Sequence, residues 1–109
     1  KATQLDMPEA TQKNKQIEGE IIYIDHFGNA ATNIPAELID KTFASSDTIE
    51  VRVGKEKING LVTGYYQVNP NQPGAILNSW DQLEIFCRES NAEKKLKLNL
   101  GQPVILKEK

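Results

Sequence analysis

Extended alternation sets in abruptly at Ile17. Ile17, Gly19, Ile21 and Tyr23 fall on one face of a strand, and Glu18, Glu20, Ile22 and Ile24 on the other. The second face turns apolar halfway along, as in a strand that passes from an exposed edge into a barrel interior. The strand then breaks into a compact polar turn, Asp25-His26-Phe27-Gly28-Asn29, resumes as Ala30-Ala31-Thr32-Asn33-Ile34 and stops at Pro35. Residues 36–40 read as one short helical turn. Ile49-Glu50-Val51-Arg52-Val53 and Lys57-Ile58-Asn59-Gly60-Leu61-Val62 alternate on either side of a glycine-containing connection, a hairpin signal. Tyr65-Tyr66-Gln67-Val68 leads into residues 69–74, a loop whose prolines and glycine argue against regular structure. Ala75-Ile76-Leu77 and Gln82-Leu83-Glu84-Ile85-Phe86 flank a turn at residues 78–81, a second helical turn is expected within residues 92–98, and Val104-Ile105-Leu106 closes the pattern.

Seven or eight short strands separated by turn signals imply an all-β barrel or sandwich. Residues 1–16 hold few large apolar groups, too few to offset their ordering entropy, and are expected to form a linker or arm. Residues 17–109 are then a single domain. The chain begins at Lys1 rather than at a methionine and is expected to be a piece of a longer polypeptide.

Charge narrows the function classes. The formal net charge is −2, with both signs interspersed, whereas a nucleic-acid surface normally carries a basic face. No apolar run approaches the ~20 residues of a membrane helix. One cysteine, Cys87, excludes an internal disulfide and fits a reducing, cytoplasmic compartment. One histidine and one cysteine are too few for a structural zinc site. His26 is the only imidazole that could activate Ser79 or Cys87, so no nucleophile-base pair stands out and no catalytic residue is assigned.

The turn at residues 25–29 is the richest candidate, because strands fix whatever side chains the loop between them displays. Two readings stand side by side. In one, Asp25 and Asn29 bond backbone amides of an Asx-type corner and Phe27 plugs the barrel end. In the other, Asp25 accepts from an ammonium or hydroxyl group, Phe27 is an apolar wall, and Asn29 reads a heterocycle edge with its paired donor and acceptor. Composition alone favours the first. Tyr65 and Tyr66 could stack a flat ring or simply pack with a bonded hydroxyl. Asn78-Ser79-Trp80 could receive a carboxylate or be an ordinary turn, and Ser90-Asn91-Ala92 could offer helix-capping amides to a ligand or be an ordinary cap.

In their order these pieces resemble one family. Asp25-His26-Phe27-Gly28-Asn29 running on to Thr32-Asn33-Ile34 is similar to the D-x-FGN-x-x-TNI signature in the C-terminal domain of the S-adenosyl-L-methionine hydrolases (hydroxide adenosyltransferases) and the related chlorinases and fluorinases. Asn78-Ser79 with Leu83-Glu84-Ile85 resembles that domain's NS-x-x-x-LEIA stretch, and Ser90-Asn91-Ala92 with Leu96, Leu98, Gly101 and Val104 resembles its ending. Tyr65 stands where the family has an aromatic before an acidic residue, here replaced by Gln67. Trp80-Asp81 stands where small residues, or an arginine in fluorinases, are common.

The resemblance implies a small Greek-key β-barrel of about seven strands with one or two short helical turns. It implies a parent chain with an N-terminal α/β domain, usually a homotrimer, in which the ligand lies between this domain and the N-terminal domain of a neighbouring subunit. Hydrolase members convert S-adenosyl-L-methionine and water to adenosine and L-methionine; halogenating members use a halide. S-adenosyl-L-methionine is the substrate, and no cofactor or metal is implied. Carried over by position, Asp25 would bond the methionine amino group, and Ser79 with the backbone near Trp80 would hold the carboxylate. Asn29 and the amides around Ser90, Asn91 and Ala92 would read adenine, between walls of Phe27 and Tyr65. The rival reading is a non-enzymatic binding or oligomerisation barrel.

Overall fold

The computed structural model describes residues 9–109 of the chain. Eight strands and two short helices follow in the order β1 (Thr11–Lys13), β2 (Gln16–Ile24), β3 (Ala30–Pro35), α1 (Ala36–Thr42), β4 (Ile49–Val53), β5 (Glu56–Asn59), β6 (Pro73–Leu77), β7 (Gln82–Cys87), α2 (Ala92–Leu96) and β8 (Pro103–Glu108). All strand pairs are antiparallel, in the spatial order β5-β4-β8-β2-β3-β7-β6, with β1 added beside β2. The last strand returns to lie between β4 and β2, as in a Greek-key barrel. A parallel bridge from Val62 to Ile76, with the Val62 amide donating to the Ala75 carbonyl at 2.9 Å, brings the two ends of the path together and nearly closes it. Of the expected linker or arm, residues 1–8 lie outside the described residues, and the remainder carries β1.

β2 is the hinge of the architecture. Its first half pairs with β8, and its second half with β3. Between Ile21 and Tyr23 the register against β3 advances two residues on β2 for one on β3, a bulge at Ile22. Ile17, Gly19 and Ile21 therefore point into the core, but beyond the bulge the inside passes to Ile24, and Tyr23 is 55% exposed. The alternation expected to carry Tyr23 inward is broken by that one extra residue.

The core consists of the inward residues of both halves: Ile17, Ile21, Ile34, Ile49, Val51, Val53, Leu83, Ile85, Val104 and Leu106 are all nearly inaccessible. Burying each such side chain is worth ~1.5–3 kcal/mol, which makes this cluster the main stabilising element. Thr32 is buried among them because its hydroxyl is paired, donating to the Leu83 carbonyl at 2.9 Å and accepting from the Ile34 amide at 3.2 Å. It thereby stitches β3 to β7 where their ladder is irregular. Asn33 accepts from the Glu20 amide at 2.8 Å, tying β3 to β2.

Two local expectations are corrected. β5 ends at Asn59 rather than Val62, because Gly60 turns to a φ of +81° and its amide folds back onto the Ile49 carbonyl. β6 begins at Pro73, inside the expected loop; the first residue of a terminal strand tolerates a missing N–H. Tyr65–Gln67 forms one 3-10 turn.

Candidate functional site

The polar turn after β2 folds on its own side chain. Asp25 Oδ1 accepts from the amides of Phe27 and Asn29, both at 2.9 Å, while the Asp25 amide donates to the Asn29 carbonyl at 2.9 Å. One oxygen of Asp25 thus builds an Asx-type corner. The other half of the structural reading is not met: Phe27 is 72% exposed and plugs nothing, and among the described residues the Asn29 carboxamide makes no hydrogen bond. Both line an open cavity of about 740 Å³.

Gly28 couples this turn to the next segment of the site. It sits at φ +85°, and a Cβ there would fall 2.1 Å from Asn91 Oδ1. The Gly28 carbonyl accepts from the Glu93 amide at 2.9 Å, so the turn rests directly on the start of α2. Asn91 caps that helix through its Oδ1, 2.9 Å from the Lys94 amide. Among the described residues the amide of Asn91 makes no hydrogen bond and remains available. Asn91 and Ser90 line the cavity, whereas Ala92 is fully buried behind it.

The opposite wall is aromatic. Tyr65 meets Phe86 edge-on, with ring centroids 4.7 Å apart, and Tyr66 is exposed beside it. Arg88 anchors the turn that carries both tyrosines, its guanidinium donating to the carbonyls of Val68 at 2.9 Å and Tyr66 at 3.3 Å. Gln67 closes the turn from the other side: its Oε1 accepts from the amides of Thr63 at 2.7 Å and Gly64 at 3.2 Å. A carboxamide oxygen therefore closes this turn by accepting from two backbone amides.

Behind Tyr65 lies Glu84, a carboxylate only 9% exposed on the strand that walls the cavity. Its Oε2 accepts from the Tyr65 hydroxyl at 3.1 Å and its Oε1 from Asn78 Nδ2 at 3.3 Å. Burial first, then the charge of Glu84 and the hydrogen bond to it, and last the charge of Asp25, push the Tyr65 phenol above its ordinary range. Burial likewise pushes the Cys87 thiol up, so it lines the cavity as a neutral group.

The structure brings together Phe27, Asn29, Tyr65, Ser90 and Asn91 around one cavity. Asp25 does not line it, but its charge is felt by Tyr65. Ser79 and Trp80 do not line it; they sit on the neighbouring turn, exposed, with Trp80 at 74%. The Trp80 amide is already taken by Asn78 Oδ1 at 3.0 Å, which leaves Ser79 as the group that this turn offers to an anion. Sequence reasoning missed Phe86, Arg88 and Glu84. Only Glu84 carried a signal, as a carboxylate inside an otherwise apolar strand. Among the described residues no group of three or more histidine, cysteine or carboxylate side chains is placed to hold a metal ion, and no helix is long and apolar enough to cross a membrane.

Comparison with known proteins adds a family. The model of the SAM hydroxide adenosyltransferase C-terminal domain matches residues 19–105. Among solved structures, an uncharacterized conserved protein from Thermotoga maritima superposes with a TM-score of 0.79 at 27% identity, covering 93% of this chain and 39% of that one. A conserved hypothetical protein from Thermus thermophilus superposes with a TM-score of 0.68 at 29% identity, covering 92% of this chain and 38% of that one. The chain thus spans about two fifths of the length of these two proteins. No curated protein matches it.

Proposed function

The chain belongs to the SAM hydroxide adenosyltransferase C-terminal domain family, and from that premise we propose that it supplies the nucleoside-binding half of an S-adenosyl-L-methionine hydrolase. The parent polypeptide would convert S-adenosyl-L-methionine and water to adenosine and L-methionine. One observation carries the reading. Asn29 and Phe27 stand on a turn that Asp25 and Gly28 already hold, so neither is needed to build it, and both line a cavity of nucleoside size.

Asn29 would present its donor and acceptor to the adenine edge, helped by the free amide of Asn91, with Phe27 and Tyr65 as walls. The second oxygen of Asp25 would face the methionine ammonium group, and Ser79 its carboxylate. The reaction asks little more of this domain. Water attacks the ribose C5′, the C5′–S bond breaks, its electron pair returns to the sulfonium sulfur, and the water proton passes to solvent. A sulfonium leaves without acid catalysis, so the protein's contribution is alignment and exclusion of bulk water.

The cavity is open and rimmed by exposed Phe27 and Tyr66, which supports a cover supplied by the N-terminal domain of a neighbouring subunit in a homotrimer. A cytoplasmic location fits a substrate made inside cells. A SAM-dependent halogenase remains the second enzymatic reading. The hydrolase is preferred because the motifs resemble the hydrolases more closely, and Trp80-Asp81, where fluorinases carry arginine, weakens the case for a fluorinase-like carboxylate clamp.

The test is to incubate the full-length polypeptide with S-adenosyl-L-methionine, with and without chloride, and to separate the products by chromatography. Adenosine and methionine are expected. A 5′-chloro nucleoside formed only with chloride would move the assignment to the halogenases, and unchanged substrate would overturn it. Asn29→Ala is expected to weaken adenosine binding about ten-fold with assembly intact; lost stability with unchanged binding would favour a purely structural corner.

A further inference from the structure

We propose that Glu84 is a positioning residue that sets the hydrogen-bond polarity of both the aromatic wall and the Asn78 turn, and so governs how the methionine end of the substrate is held. The inference rests on the reading of the site as an S-adenosyl-L-methionine half-site.

An ionised carboxylate can only accept hydrogen bonds. The Tyr65 hydroxyl, 3.1 Å from Glu84 Oε2, must therefore donate its single proton inward, leaving only lone pairs toward the cavity. A ligand group reaching that oxygen has to be a donor, such as an ammonium or a hydroxyl, and a carboxylate is refused. Asn78 is fixed by the same logic. Its Nδ2 must face Glu84 Oε1 at 3.3 Å, so its Oδ1 is turned to the amides of Trp80 at 3.0 Å and Gln82 at 3.1 Å. A flipped carboxamide would set NH₂ against both N–H groups. Glu84 thus holds the turn on which Ser79 is displayed without touching the ligand itself.

The burial of Glu84 gives this arrangement its force. The residue is 9% exposed, so the two bonds face little competition from water. The two arms lead to different parts of the ligand. The donor-only demand of the Tyr65 hydroxyl suits an ammonium group, and the exposed Ser79 hydroxyl suits the carboxylate.

Two substitutions test this in the full-length polypeptide. Glu84→Met keeps the bulk and removes both acceptors. Glu84→Gln keeps one acceptor, so it serves one partner and opposes or reverses the other. Both are expected to raise KM for S-adenosyl-L-methionine about ten-fold, with kcat changed less than about two-fold. In Glu84→Met the Trp80 and Gln82 amides are expected to exchange with deuterium faster, while those of the β2–β8 pair keep their protection. Tyr65→Phe, which cuts one arm, should raise KM less and combine non-additively with Glu84→Gln. Unchanged KM in both Glu84 variants of an active polypeptide, or unchanged exchange at Trp80 and Gln82 in Glu84→Met, overturns the proposal. A wild type that leaves S-adenosyl-L-methionine intact overturns the hydrolase reading instead, and amide exchange then decides by itself whether Glu84 holds the turn. If Glu84→Met does not fold, a Glu84→Gln variant that folds and keeps the wild-type KM overturns it.

Discussion

Replacing Gly28 by alanine should damage the candidate site out of proportion to the one methyl group added. Gly28 adopts φ +85°, a conformation in which a Cβ costs roughly 1–2 kcal/mol. The new Cβ would also lie 2.1 Å from Asn91 Oδ1 and 2.3 Å from its Cγ, far inside contact distance. Asn91 must swing away and give up its 2.9 Å cap on the Lys94 amide, a loss of about 1 kcal/mol. Together the two effects come to roughly 2–3 kcal/mol, a fall in Tm on the order of 10 °C for a domain of this size. Gly101→Ala is the control: its φ is +83°, but nothing lies within 4 Å of a Cβ there, so only the same backbone cost of roughly 1–2 kcal/mol applies. Urea unfolding of both variants, followed by circular dichroism, measures the difference. In an Asn91→Ala background the cost of Gly28→Ala should shrink by about 1 kcal/mol, because the cap is already gone. A Gly28→Ala variant no less stable than Gly101→Ala would refute the claim that the turn and α2 are locked together at this point.

Two further outcomes test other parts of the structure. Thr32→Val leaves the Leu83 carbonyl and the Ile34 amide buried without their partner and should cost about 1–3 kcal/mol. Thr32→Ser should cost only about 1 kcal/mol for the lost methyl; a valine variant as stable as the serine one in urea would show that the stitch between β3 and β7 is dispensable. Because the folded-state pKa of Tyr65 is raised, its contribution to stability is fully present below the ordinary tyrosine value of about 10 and is lost as pH rises through the raised value. Tyr65→Phe should therefore flatten the alkaline limb of stability; an unchanged limb would contradict the placement of that hydroxyl against Glu84.

Much of the architecture was legible because its signals are local. Period-two alternation and turn residues marked β2, β3, β4, β7 and β8, and the motif order marked residues 25–29 and 90–92 before any strand was paired. Asn29 and Phe27 were visible as candidates for the same reason: they lie on a short turn between two recognisable strands. The choice between a structural corner and a binding turn was not legible, since both readings need the same residue types. The structure separates the residues by role, with Asp25 used by the corner and Asn29 left to the cavity.

What only the tertiary structure decided depends on groups far apart in sequence. The bulge at Ile22 turns Tyr23 outward because β2 must serve β8 with one half and β3 with the other, a demand its own alternation does not encode. The clash that reserves position 28 for glycine exists because α2 comes back against the turn. Glu84 stands out in sequence only as a carboxylate within β7; its Asn78 partner comes from the β6–β7 hairpin itself, but its bond to Tyr65 exists only because the Tyr65 turn is laid over that strand. By itself the sequence determined most of the strands and the turns rich in polar groups, since backbone sterics and hydrophobic period act over a few residues. The folded barrel decided which of those side chains meet, because hydrogen bonds and close contacts between distant residues arise only once the strands are paired.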